Sequence, residues 1–158
     1  VTDVLIGLVS DTHGLVRPDI ARVLSGVTRI LHAGDVGAPG VLRALSAIAP
    51  VDAVFGNVDD PGDPLLAPER VVTVGEVTIH VSHGHQLGSP TPERLLARYR
   101  GDVIVFGHTH RAIVARAADG RLVVNPGAAG PRRFDLRPSV ALLRIAGRRV
   151  HAEIISLV

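Results

Sequence analysis

Short runs of valine, isoleucine and leucine, cut by glycine, proline and aspartate, alternate with segments of helical periodicity in the first third of this chain. Strands are expected at 4–9 and 29–33, with a third that starts after Pro50 and ends at 53–55. Between them, one helix is expected from Pro18, with Ile20, Val23 and Leu24 on one face, and another over 39–48, aligning Val41, Leu42, Leu45 and Ile48. A β-α-β-α-β order requires parallel strands joined by crossover helices. The remainder reads differently. Runs 70–74 and 77–81 flank Gly75-Glu76, and runs 113–117 and 122–124 flank Ala118-Asp119-Gly120, both hairpin signals. A helix over 92–100 leads into an apolar strand at 103–106, and strands 139–145 and 150–157 join through Gly147. The expected fold class is α/β, with two mixed sheets packed together and helices outside. No repeat, low-complexity segment or linker divides the chain, so one domain over 1–158 is expected.

Composition narrows the chemistry. At 158 residues and 46% hydrophobic, the chain can bury a sizeable core. It has no cysteine, which excludes disulfides, thiolate metal sites and cysteine nucleophiles. All 17 basic residues are arginine, which reconciles a net charge of +2 with an isoelectric point near 10.3. Without lysine there is no Walker A loop and no Schiff base. Aromatics at 3% leave few platforms for stacked bases, so no dedicated nucleic-acid surface is expected. The first residues read as a strand rather than a signal peptide, and no apolar run approaches the ~18 residues of a membrane span. A cytoplasmic protein without membrane contact is the expectation.

The polar residues sit in a pattern. The run 5–9 empties into Ser10-Asp11-Thr12-His13-Gly14, and 29–33 into Gly34-Asp35. The run ending at Phe55 empties into Gly56-Asn57-Val58-Asp59, 77–81 into Ser82-His83-Gly84-His85, and 103–106 into Gly107-His108-Thr109-His110. Five strands thus deliver metal-ligand side chains just past their C-terminal ends, where open α/β sheets carry ligand sites. In extended backbone, residues two apart point to one side, so Asp11 with His13, and His108 with His110, could each present two donors to one cavity. His32, inside a strand, is expected to be a buried hydrogen-bonded histidine, and His80 to lie on a sheet face. Asp59 is expected either to orient Asn57 or a histidine, or to form the turn before Pro61.

The series Asp-x-His, Gly-Asp, Gly-Asn-x-Asp, His-Gly-His and Gly-His-x-His resembles the calcineurin-like metallophosphoesterases. It is most similar to their small single-domain phosphodiesterase branch, which also includes the metal-site scaffold subunit of the retromer coat. The resemblance runs from Leu5 to about Arg133 and extends to Asn125-Pro126-Gly127 with Pro131-Arg132. It implies a four-layer sandwich and two divalent transition-metal ions, manganese first, with iron, zinc, nickel or cobalt also suited to donors that include no sulfur. One ion would be held by Asp11, His13 and His110, the other by Asn57, His83 and His108, with Asp35 bridging. The implied reaction is phosphodiester hydrolysis, with phosphomonoesters a further substrate class, by in-line attack of a metal-bridging hydroxide. Two divalent ions, two aspartates and that hydroxide leave a formal charge of about +1, attractive to a phosphodiester anion.

Larger family members carry a histidine directly after the Gly-Asn pair, able to protonate the leaving group. Here that position is Val58. His85 is the substitute candidate, as acid or as phosphate contact, against a role in supporting the loop or a metal ligand, so Asp35, Asn57 and His85 are the catalytic candidates. Ala128 stands where the family often has serine, and Arg132 or Arg133 could contact substrate phosphate. The expected substrate is a small phosphodiester or nucleotide. Branch members often self-associate, so a homo-oligomer is an expectation of the resemblance, unsupported by any coiled-coil pattern. The competing reading is a catalytically weak metal-binding scaffold of the same fold. A zinc amide hydrolase is disfavoured, because its His-x-His usually comes first, whereas here it comes last.

Overall fold

A computed structural model describes residues 3–133 and 135–158. The first sheet contains β1 (Val4–Val9), β2 (Arg29–His32), β3 (Val51–Val54), β4 (Leu66–Ala67), β10 (Ser139–Ala146) and β11 (Arg149–Ser156). Its order is β11-β10-β1-β2-β3-β4, parallel from β1 to β4 and antiparallel beyond β1. The second contains β5 (Glu69–Val74), β6 (Val77–Ser82), β7 (Val103–Val105), β8 (Ile113–Arg116) and β9 (Leu122–Asn125), in the order β5-β6-β7-β9-β8.

Alternation along the strands builds the layers. Ile6, Leu8 and Leu31 face Ile79, Val81, Val103 and Val105 in an apolar seam between the sheets. The opposite face of the first sheet, with Val9, Ile30 and Ala53, packs against Ile20 of α1 (Ile20–Val23) and Val41 and Leu45 of α2 (Pro39–Ser46). On the outer face of the second sheet, Ile104, Phe106 and Val123 are covered by Leu95 of α3 (Pro92–Arg98) and by Tyr99. Each buried strand is therefore apolar on both faces, which is why these runs read as continuous rather than alternating.

The helix expected from Pro18 amounts to a single turn, and 39–48 and 92–100 end two residues early. A four-residue turn gains too few hydrogen bonds to propagate, and Gly26 at φ +90° closes the segment. The third strand begins at Val51, directly after Pro50 as expected, and β4 lies between Pro64 and Pro68 in a stretch without strand periodicity. The chain then changes sheet at Pro68. No helix among the described residues is long and apolar enough to cross a membrane.

Candidate metal centre

Five loops, following β1, β2, β3, β6 and β7, meet at one end of the sandwich, three from the first sheet and two from the second. Asp11, His13 and His110 bring one donor atom each within 4.8 Å of one another, and so do Asp11, Asp35 and His83. The Nε2 atoms of His13 and His110 lie 3.4 Å apart. Oδ1 of Asn57 lies 3.2 Å from both Nε2 of His83 and Nδ1 of His108. Oδ2 of Asp35 stands between the clusters, 3.7 Å from His13 and 3.3 Å from His83. Asp11 Oδ1 also faces both, 3.4 Å from His110 and 3.8 Å from His83. All seven residues expected as ligands are brought together.

The backbone does this in an unexpected way. Asp11, His13, Asp35, His108 and His110 have φ between +46° and +71°, and they are the only non-glycine residues with positive φ among those described. Left-handed backbone, not extended alternation, makes the Asp-x-His and His-x-His pairs converge. Such conformations cost roughly 1–3 kcal/mol each and persist where surrounding structure over-determines them.

That surrounding structure ties one polar atom of a candidate ligand and leaves another free. Asp11 Oδ2 accepts the Ser10 hydroxyl at 2.6 Å and the His108 N–H at 3.1 Å. Its Oδ1 is buried without a hydrogen-bond partner. The His83 Nδ1–H donates to the Ala33 carbonyl at 2.8 Å, which leaves the Nε2 lone pair toward the centre. Asp35 Oδ1 accepts the Val58 N–H at 3.1 Å. Close approach of the loops demands glycine: a Cβ on Gly56 would collide with Asp35, and one on Gly107 with Ser10 and Asp11.

Electrostatics follow from this crowding. Burial would raise the Asp35 carboxyl, but the hydrogen bond and charge of His83, the Val58 N–H and His13 outweigh it and hold it at about 2. Burial opposes ionisation of Asp11 as well, yet His110, His83 and Ser10 hold it below the ordinary range. Burial likewise opposes protonation of His83, but Asp35 and Asp11 raise it. His13 and His108 are lowered, chiefly by burial.

Supporting residues explain how the loops are held. His32 is fully buried, as expected: its Nδ1 accepts the Gly34 N–H at 3.1 Å and its Nε2 lies 3.0 Å from the Thr12 hydroxyl, which donates to the Val36 carbonyl. Asp59 orients neither Asn57 nor a histidine. Its carboxylate accepts the N–H groups of Val36, Gly37 and Gly56, binding the loop after β2 to the loop after β3. Asn125 donates to the Gly107 carbonyl and the Thr109 hydroxyl, fixing the His108–His110 loop. Ser10 is a support that sequence reasoning missed; a hydroxyl directly before a strand-end aspartate was its only signal. His80 is buried on β6, stacked on Tyr99 and 3.1 Å from Glu69.

His85 opens a 3-10 turn over His85–Leu87, its ring centroid 5.3 Å from that of His83 and 6.4 Å from that of His108. Burial, with His83 and His108 beside it, lowers its pKa. Val58 is 57% exposed at the position where larger relatives carry histidine. Arg132 and Arg133 are exposed.

Comparison with known proteins agrees with this geometry. The profile of the calcineurin-like phosphoesterase superfamily domain matches residues 4–148. A probable metallophosphoesterase of Methanothermobacter thermautotrophicus is 35% identical over 96% of this chain and 91% of its own length. The phosphodiesterase YfcE of Escherichia coli K12 is 33% identical over 70% of this chain and 71% of its own. Among solved structures, vacuolar protein sorting 29 from Cryptosporidium parvum superposes with a TM-score of 0.81 at 24% identity, covering 98% of each chain. Zinc-bound Vps29 from Entamoeba histolytica gives 0.80 at 24%, covering 96% of this chain and 98% of its own. These last two speak for the fold alone. From the strand-end loops to the profile match, the chain belongs to the calcineurin-like phosphoesterase superfamily.

Proposed function

We propose that this chain is a phosphodiesterase that uses two divalent transition-metal ions, manganese first among them. The observation that carries this reading is the convergence of two donor groups on either side of Asp35, with the buried Asp11 Oδ1 lacking a hydrogen-bond partner while three imidazoles face it. An orphaned buried carboxylate oxygen is costly unless a cation meets it, so the residues present fit such ions. Asp11, His13 and His110 would hold one; Asn57, His83 and His108 the other; and Asp35 would lie between. A pair of ions there would supply Lewis acidity toward a phosphoryl oxygen and activate water at neutral pH.

The chain's own residues set the rest. Imidazole, carboxylate and amide donors without sulfur favour manganese, iron, zinc, nickel or cobalt over calcium. The tied atoms of Asp11, Asp35 and His83 fix the ligands before any ion arrives. His85, its pKa lowered by burial and by its histidine neighbours, is neutral at pH 7 and offers a ring N–H to a phosphate oxygen. With Val58 at the position of the family's acid, the leaving group departs without a strongly acidic donor, so activated phosphodiesters are favoured over alkyl ones. Losing a positioned acid costs ~10²–10⁴ in rate for a poor leaving group.

The second reading, a scaffold of the same fold with little turnover, is favoured by Val58 alone. One experiment separates the two: hydrolysis of an activated aryl phosphodiester by chelator-stripped protein before and after Mn²⁺ is restored. Metal-restored turnover supports the enzyme. Folded protein that takes up two ions per chain without turnover overturns it in favour of the scaffold.

A further inference from the structure

At the other end of the sandwich, the β10–β11 hairpin and β8 enclose a cleft of about 570 Å³. Register partners set its floor. Arg144 pairs with His151 and Ala146 with Arg149, so these four side chains share one face of the hairpin. Ala146 is the small member, and the concavity opens over it. Arg148, in the turn, and Arg116, from the second sheet, complete the lining.

Arg116 is fixed before any ligand arrives. Its guanidinium donates to the Gly120 carbonyl at 3.1 Å and to the Val150 carbonyl at 2.8 Å, reaching from one sheet to the edge strand of the other. Three of its five N–H donors are left over. Two ion pairs do not neutralise the group: Asp3 stands 3.7 Å from Arg144 and Glu76 3.5 Å from Arg148, both well exposed. Arg149 and Arg116 have no carboxylate within salt-bridge distance among the described residues. Four guanidinium groups against two carboxylates leave an excess of two positive charges.

We propose that this cleft is a binding site for a small oligophosphate anion, separate from the metal centre. Guanidinium forks match phosphate oxygens in pairs, and several forks around one concavity match several linked phosphates. No aromatic ring other than His151 lines the cleft, so recognition falls on the phosphates rather than on a stacked base. Leu5, at the start of β1, pairs with Arg144, whereas Asp11 follows the end of β1. Six residues of nearly extended chain place the two sites ~20 Å apart. The inference is independent of the proposed hydrolysis.

The test is calorimetric titration of the full chain with tripolyphosphate, using two double variants that remove the same charge. Arg144→Ala/Arg149→Ala empties the cleft, and Arg22→Ala/Arg43→Ala removes two exposed arginines on α1 and α2. Binding at the metal centre is common to both variants and drops out of their comparison. The expected result is saturable binding, weakened on the order of 10²-fold in the cleft variant and less than about twofold in the helix variant. Titration with ADP distinguishes sources: equal affinity for ADP and pyrophosphate assigns recognition to the phosphates, and tighter ADP assigns a share to the nucleoside. Equal weakening in both double variants, or no saturable binding to the wild-type chain, overturns the proposal. The thermal midpoint of each variant monitors folding, and metal-restored hydrolysis, measured separately, stands or falls by itself.

Discussion

Glycine does different work at the two ends of this sandwich. Around the candidate metal centre, a methyl group on Gly34, Gly37, Gly56, Gly107 or Gly130 would run into backbone or into a buried polar side chain. At the hairpin end, Gly75 and Gly147 have positive φ but nothing within 4 Å of an added Cβ. Every non-glycine residue with positive φ among those described lies at the first end and none at the second. One end is built by close approach and carries strained side-chain donors. The other merely turns. The difference teaches that a positive φ by itself marks nothing; a positive φ on a residue with a side chain, surrounded by loops with no spare room, marks the site.

Changing a donor at the crowded end should have the largest effect. Asp35→Asn is expected to lower kcat/KM for an activated aryl phosphodiester by more than ~10³-fold with Mn²⁺ present, because it weakens the group between both donor sets. Arg149→Ala, at the hairpin end, should leave that value unchanged. Equal losses from the two variants would erase the distinction between the ends.

Acid should act next, chiefly through the crowded end. His32 is kept neutral in the folded chain, its pKa pushed by burial from 6.5 to about 4. The unfolded chain takes up that proton below about pH 6.5, while the folded chain resists until about pH 4. His32 should therefore make the metal-free protein lose stability as pH falls through this window, its own contribution being roughly 3 kcal/mol at most. Asp35 adds a lower limb: its carboxyl sits at about 2 against an ordinary 3.8, so its stabilisation is present above 3.8 and is lost as pH falls toward 2. Thermal midpoints across pH 7 to 2 check both limbs, and His32→Gln should flatten the upper one. A slope that persists in that variant would place the acid sensitivity elsewhere.

Glycine variants sharpen the contrast directly. Gly56→Ala should destabilise by about 1–3 kcal/mol through overpacking and should also remove metal-restored turnover, since the new methyl meets Asp35. Gly147→Ala, the smallest effect, should cost about 1 kcal/mol for its left-handed backbone and keep full turnover. Urea midpoints and turnover on the same preparations measure both.

Much of this was legible in the chain. The five apolar runs ending in Asp, Asn and His placed seven donors at one end of a two-sheet sandwich, and the motif order carried the family. The hairpins at Gly75-Glu76 and Ala118-Asp119-Gly120 were readable because turn chemistry is local. What was not legible depended on distant partners. Asp59 could be read only against its own turn, whereas two of the three N–H groups it accepts lie more than twenty residues away. The left-handed backbone of His13, His108 and His110 could not be read from residue type, since histidine enters that region more often than most side chains yet still only rarely; packing imposes it. The two residues of β4 pair only because β3 is already in place beside them.

The bond from the His108 N–H to Asp11 Oδ2 joins residues 97 positions apart. A chain emerging in sequence order would present Asp11, His13, Asp35, Asn57 and His83 long before His108 and His110 exist to complete either donor group. Closing that span is entropically expensive and belongs to the slow, non-local part of assembly. The candidate metal pocket is therefore among the last things this protein acquires as it folds, and uptake of an ion there would report that both sheets have docked.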